Sequence, residues 1–117
     1  LADDPLVRHR LADLATQIEI SRLISYNIAW MQQASIVPNR EASMGKVFGT
    51  ELQQRITSAG LDLLGLHGQL GPDSWNAFLA GRIGRASMNS ISGTIAAGTS
   101  EIQRNIIATR GLGLPRG

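Results

Sequence analysis

Cysteine is absent from this 117-residue chain. That excludes disulfides, a thiol nucleophile and any thiolate-bound metal. Histidine is nearly absent as well. His9 and His67 are the two present, too few to ligate a metal by themselves, so no metal site is expected. Aromatic side chains are scarce: Tyr26, Trp30, Phe48, Trp75 and Phe78. The core must therefore come from Leu, Ile, Val and Ala, as packed helices can supply. No run of like charge exceeds two residues, and the net charge is +2. The high pI of about 9.9 reflects a small surplus of arginine and not a basic block. Without clustered Lys and Arg, no nucleic-acid face is expected. No apolar run approaches the roughly 18 residues of a membrane span, so a cytoplasmic location is expected. The chain opens with neither Met nor a signal-like segment and reads as a fragment or a processed product.

What is present is helical periodicity with clear punctuation. Asp3-Asp4-Pro5 is a helix start: Asp4 can cap, and Pro5 fits the first helical position, where its missing N–H costs nothing. Leu11, Leu14, Ala15 and Ile18 then recur at helical spacing, followed by Ile20, Leu23, Ile24, Ile28 and Met31. The wide stripe calls for more than one packing neighbour. The helix is expected to stop near Val37, because Pro38 disfavours helix in the residue before it. Asn39 is the next candidate cap. Met44, Val47, Phe48, Leu52, Ile56, Ala59 and Leu63 line a second long helix. Gly45, Gly49 and Gly60 lie inside it, where small residues admit a close neighbour.

Gly65 to Gly71 is a Gly-rich break. Pro72-Asp73-Ser74 is read as the start of a third helix carrying Trp75, Phe78, Leu79 and Ile83. Ser87 to Gly98 reads as its frayed end. Ser100 with Gln103 matches a capping box for a final helix, anchored by Ile102, Ile106 and Ile107 and ended by Gly111, Gly113 and Pro115. No alternating strand pattern and no repeat is present. The expected architecture is all-α, a single antiparallel four-helix bundle over residues 1–117.

The chemistry is concentrated in the last quarter, Gly93 to Arg110. Gly98-Thr99-Ser100-Glu101 opens a helix whose first N–H groups lack internal partners. A start of this kind can hold a phosphate or an electron-rich cofactor edge, although capping alone also accounts for it. Thr99-Ser100-Glu101-Ile102-Gln103-Arg104 closely resembles the G-T-S-x-I-Q-R signature of the acyl-CoA dehydrogenases. The tail Arg110-Gly-Leu-Gly-Leu-Pro-Arg116 resembles members from bacteria that degrade lipids and steroids. Arg40 to Arg55 is similar to a helix of the same family's C-terminal domain, and Leu61 to Gly68 falls where the family often reads Gln-Ile-Phe-Gly-Gly. The resemblance runs in order over nearly the whole chain.

The resemblance implies that the chain is most of the C-terminal helical bundle of a longer flavoenzyme, with that bundle's first helix and two earlier domains outside it. It implies FAD-dependent α,β-dehydrogenation of an acyl-CoA thioester. Thr99 falls on a flavin-contacting Thr, and Glu101 on a position where many members have an FAD-contacting Gln. A carboxylate there suits a hydroxyl or amide edge, or a neighbouring cation, better than a phosphate. Gly65 falls in the turn that reaches the FAD of an adjacent subunit, with Asp62 and Leu66 departing from the usual Gln and Gly nearby. Ala97 stands where the catalytic Glu is usual, and Ala96 where Tyr precedes it, so no catalytic residue is assigned. Either the base lies outside this chain, or the protein is a catalytically silent subunit of a heteromeric enzyme. The isolated chain is expected to be inactive and not to retain FAD. Apolar stripes left without their neighbour are expected to drive homo- or hetero-oligomerisation. Glu19, Glu41 and Glu51 are read as solvated or interhelical, Arg22 and Arg104 as weak surface pairs by default or else interhelical or subunit contacts, and Trp30 and Trp75 as core or interface packing.

Overall fold

The computed structural model describes residues 1 and 3–116, and among them there is no strand. Four helices follow one another: α1 (Pro5–Gln33), α2 (Asn39–Leu64), α3 (Arg82–Gly93) and α4 (Ser100–Ile106). Short 3-10 turns at Gly65–Gln69 and Phe78–Gly81 separate α2 from α3, and α4 continues into one wide π turn, Ile107–Gly111.

The start of α1 is as its sequence dictates. The Asp4 carboxylate accepts from the N–H groups of Leu6 at 2.8 Å and Val7 at 3.4 Å, with Pro5 in the first turn. The helix ends at Gln33, earlier than Val37, and Ser35 turns the chain with φ of 59°. Asn39 does not cap α2. It is already helical, Pro38 occupies the cap position, and no side chain bonds to the free N–H groups there.

α2 is the hub. It packs against α1, α3 and α4, whereas α1 packs against α2 alone. Its internal glycines mark the closest approaches. A Cβ on Gly45 would lie 3.0 Å from Ile28 Cδ1 of α1, and one on Gly60 would lie 3.0 Å from Ile83 Cγ2 of α3. Arg10 meets Asp62 at the other end of the α1 contact, so α1 runs antiparallel to α2. Ile83 against Gly60 and Gly93 against Thr50 give α3 the same antiparallel sense.

The third helix starts later than Pro72-Asp73-Ser74 suggests. Trp75, Phe78 and Leu79 carry helical spacing, yet Leu79, Ala80 and Gly81 all take positive φ, near 50°, 50° and 66°. A right-handed helix cannot pass through three such residues. Gly81 is required there: its Cβ would sit 2.7 Å from the Leu70 carbonyl oxygen. Of the segment expected to fray, Ser87 to Gly98, the part up to Gly93 is regular helix instead, and the remainder is turn. Its small residues let it press on α2, where Gln54 Nε2 donates to the Ser90 carbonyl and to Thr94 Oγ1.

The buried core is thin. Leu14, Leu52 and Ala59 are buried, with Phe48 packed against them. Leu23, Tyr26 and Trp30 on α1 stay largely exposed, and Trp75 is 97% exposed. Neither tryptophan is a core residue of this chain.

Candidate functional site

The turn between α3 and α4 is a second stretch of left-handed backbone. Ala97 sits at φ of 55° and Gly98 at 93°. A residue with a Cβ resists the first of these values. The turn closes through Ser100 N–H, which donates to the Thr94 carbonyl at 3.0 Å. Two long side chains hold its carbonyls. Gln103 Nε2 donates to the Ala97 carbonyl at 3.1 Å, and Lys46 Nζ, from α2, donates to the Gly98 carbonyl at 2.6 Å.

The cap of α4 lies one residue earlier than the Ser100–Gln103 pattern indicates. Thr99 is the cap, and its Oγ1 accepts from Ile102 N–H at 3.3 Å. Ser100 is the first helical residue. Gln103 turns back to the Ala97 carbonyl, so the reciprocal half of a capping box is absent. Of the three isoleucines expected to anchor α4, Ile106 and Ile107 are half-buried and Ile102 is exposed.

Thr99, Ser100, Glu101 and Arg104 of this turn face Glu51 and Arg55 of α2 across a cleft of about 660 Å³. Ser100 is buried, and its Oγ has no hydrogen-bond partner. A buried hydroxyl without a partner is costly unless something polar enters beside it. Arg104 donates to Glu51 at 2.7 Å, which makes Glu51 interhelical. The Glu101 carboxyl is held below the ordinary carboxylate range. Its own backbone N–H is the largest cause, followed by the Thr99 hydroxyl and the charges of Arg104 and Lys46.

Gly65 is elsewhere. It ends α2 with φ of 54°, and nothing lies within 4 Å of the position a Cβ would take. Glu51, beside Thr99, is about 20 Å away along the helix axis at 1.5 Å per residue. One chain thus brings Thr99 and Glu101 together and leaves Gly65 apart. His67 Nδ1 lies 3.4 Å from Asn76 Nδ2 near the Gly65 turn. Asp62, which departs from the usual residue there, pairs with Arg10 at 2.7 Å. Glu19 pairs with Arg22 within α1, and Glu41 with Arg40 within α2. Glu41 is also held below the usual carboxylate range, first by its own backbone N–H and then by Arg40. Among the described residues no group of three His, Asp or Glu side chains is placed to hold a metal.

Sequence reasoning passed over Lys46 at the turn and gave Gln103 a capping-box role in place of its bond to the Ala97 carbonyl. The available signal was that Lys46 is the one lysine in a chain whose other ten basic residues are arginines.

The family signature described as "Acyl-CoA dehydrogenase, C-terminal domain" matches residues 1–112. The chain belongs to the acyl-CoA dehydrogenase family. It is 36% identical over 120 aligned residues to "Acyl-CoA dehydrogenase FadE26" of Mycobacterium tuberculosis, covering 99% of this chain and 30% of that protein. It is 35% identical over 102 residues to the mitochondrial "Short/branched chain specific acyl-CoA dehydrogenase" of Bos taurus, covering 87% of this chain and 22% of that one. Among solved structures, the "Tcur3481-Tcur3483 steroid ACAD" superposes with a TM-score of 0.92 at 31% identity, over 98% of this chain and 30% of its own. The "ChsE4-ChsE5 complex from Mycobacterium tuberculosis" gives 0.89 at 35% identity, over 99% and 30%. The chain therefore spans between 22% and 30% of the length of these acyl-CoA dehydrogenases.

Members of the acyl-CoA dehydrogenase family are FAD-dependent. The cleft suits a polar cofactor edge: Thr99 and Ser100 line it, and Arg55 and Arg104 balance Glu51 and Glu101.

Proposed function

We propose that this chain is the C-terminal, FAD-contacting and oligomerising domain of an acyl-CoA dehydrogenase that desaturates an acyl-CoA thioester between its α and β carbons. The observation that carries the reading is the braced Ala97–Gly98 turn beside a cleft with a buried, unpartnered hydroxyl, on a chain that matches the family over residues 1–112. Thr99 and Glu101 meet the FAD of their own subunit. Gly65, about 20 Å away along α2, meets the FAD held by a neighbouring subunit. FAD, when bound, takes the hydride that leaves the β carbon.

Removal of the α proton needs a base within direct reach, and the methyl group of Ala97 is none. The base, where there is one, belongs to another part of the enzyme. This domain binds, orients and assembles, and alone it neither dehydrogenates acyl-CoA nor retains FAD. The enzyme works in the cytoplasm, and nucleic acid is not among its partners. The test is FAD titration of the longer flavoprotein carrying this domain. Thr99→Val and Glu101→Leu should each weaken binding, and full affinity in both variants would refute the assignment. Turnover of any acyl-CoA by residues 1–117 alone would refute the inactivity.

A second reading is that the domain belongs to a catalytically silent subunit paired with an active one. It is supported by the two-protein names of the solved relatives, Tcur3481-Tcur3483 and ChsE4-ChsE5. Co-expression with the neighbouring dehydrogenase gene should yield a stable heteromer. A homomeric enzyme active on its own would exclude this role.

A further inference from the structure

We propose that Lys46 and Gln103 are positioning residues that clamp the left-handed Ala97–Gly98 turn and so aim Thr99 at the cofactor. The proposal rests on the FAD contact of Thr99 argued above.

Two successive residues at positive φ do not hold themselves in place. Such backbone persists where its surroundings over-determine it. Here each of the two carbonyls is captured, from a different direction. Gln103 reaches back from α4 to the Ala97 carbonyl, and Lys46 reaches across from α2 to the Gly98 carbonyl. The second bond is short, part-buried and charge-assisted, so it is the stronger of the two. Its direction has a consequence. In a trans peptide the N–H points opposite the preceding C=O. Turning the Gly98 carbonyl toward Lys46 therefore turns the Thr99 N–H away from it. Among the described residues that N–H donates to no backbone carbonyl.

The residue types fit this task. A lone carbonyl is the acceptor, and it suits the compact ammonium of lysine, whereas the planar fork of arginine is built for paired acceptors. Lysine occurs at this one position only. A Cβ on Gly98 would lie 2.7 Å from Gln103 Nε2, so the Gln103 amide lies directly over the turn. The Lys46 charge also reaches Glu101, adding to the larger effects of the Glu101 backbone N–H and the Thr99 hydroxyl. One ammonium thus steadies both the turn and the acid beside it.

The test is FAD titration of the longer flavoprotein, with its partner subunit where one is needed, read by flavin fluorescence and by the visible absorption band. Lys46→Met and Gln103→Leu should each weaken FAD binding about tenfold, the scale of one lost charge-assisted or buried hydrogen bond. Because both act through one turn, the double variant should fall well short of the product of the single effects. Glycine adopts positive φ without help. Ala97→Gly in the Lys46→Met background should therefore restore affinity to within about threefold of the parent. A side chain that only stabilised the fold would show no such rescue. If Thr99→Val leaves FAD affinity unchanged, the flavin reading itself fails. If Thr99→Val weakens binding while Lys46→Met and Gln103→Leu do not, the positioning role fails and the flavin reading stands. If Lys46→Met lowers the melting temperature of the apoprotein and Ala97→Gly restores no binding, the lysine is structural and the proposal is overturned. Gln103→Leu, which leaves α2 untouched, keeps the test decisive where Lys46→Met does not fold.

Discussion

Arg104 on α4 donates to the Glu51 carboxylate on α2 at 2.7 Å, and both side chains line the cleft beside Thr99. The pair is the direct charged link between these helices. It is also part-exposed, at 53% and 33% for the two side chains. Exposed pairs contribute about 0.2–1 kcal/mol. Arg104→Ala and Glu51→Ala should each lower stability by about that amount, and the double variant by less than their sum. Urea denaturation at low and at about 1 M salt checks this, and the coupling should shrink as the Debye length falls to about 3 Å.

Gly81 gives a sharper outcome. Its φ of 66° and the 2.7 Å approach to the Leu70 carbonyl oxygen leave no conformation for a methyl group. Gly81→Ala should cost about 2–3 kcal/mol, since backbone cannot move aside as a flexible side chain can. Gly71→Ala is the matched control. A Cβ there meets nothing within 4 Å and the φ is ordinary, so its effect should stay within about 0.5 kcal/mol. Thermal melts of the two variants side by side separate the cases.

Glu101 predicts a pH dependence. Its folded pKa lies below the ordinary value of 4.5. The unfolded chain therefore binds the proton more readily, and stability rises with pH. The contribution is complete above the unfolded value and is lost as pH falls through the lower folded one. Glu101→Gln should leave the acid limb of stability shallower, with the difference confined to the region below about pH 5. Melting temperature followed from neutral pH downward checks it. A difference that instead grows toward neutral pH would contradict the assignment.

The outer face of α1 carries a fourth prediction. Leu23, Tyr26 and Trp30 are more than half exposed, and their spacing of three and four residues places them on one face. Residues 1–117 should self-associate or exchange helices at about 100 µM, as measured by light scattering. Leu23→Glu with Trp30→Glu should give a monomer. A monomeric parent chain would show that this face needs no cover.

The long helices were legible because their signals are local. Asp4-Pro5 caps α1 through its own next turn, and the seven-residue spacing of Leu52 and Ala59 marks the buried side of α2. The third helix was misplaced because Trp75, Phe78 and Leu79 imitate helical spacing, while the stop is tertiary: the Leu70 carbonyl packs against Gly81. Small residues from Ser87 to Gly93 look weak as an isolated helix and gain their support from Gln54. At the site, Thr99, Ser100 and Glu101 were visible as a helix start. Lys46 was not, because its partner Gly98 is 52 positions away in sequence and the contact depends on how α2 lies against the turn.

Among the described residues every helix leans on α2, and α1 leans on no other helix. Elements with so few partners open on their own, at lower free energy than the whole. Backbone amides of α1 should therefore exchange with deuterium ahead of those of α2, which stay closed until the domain opens as a unit. The domain is a spine with one detachable rib, and that rib carries the exposed tyrosine and tryptophan.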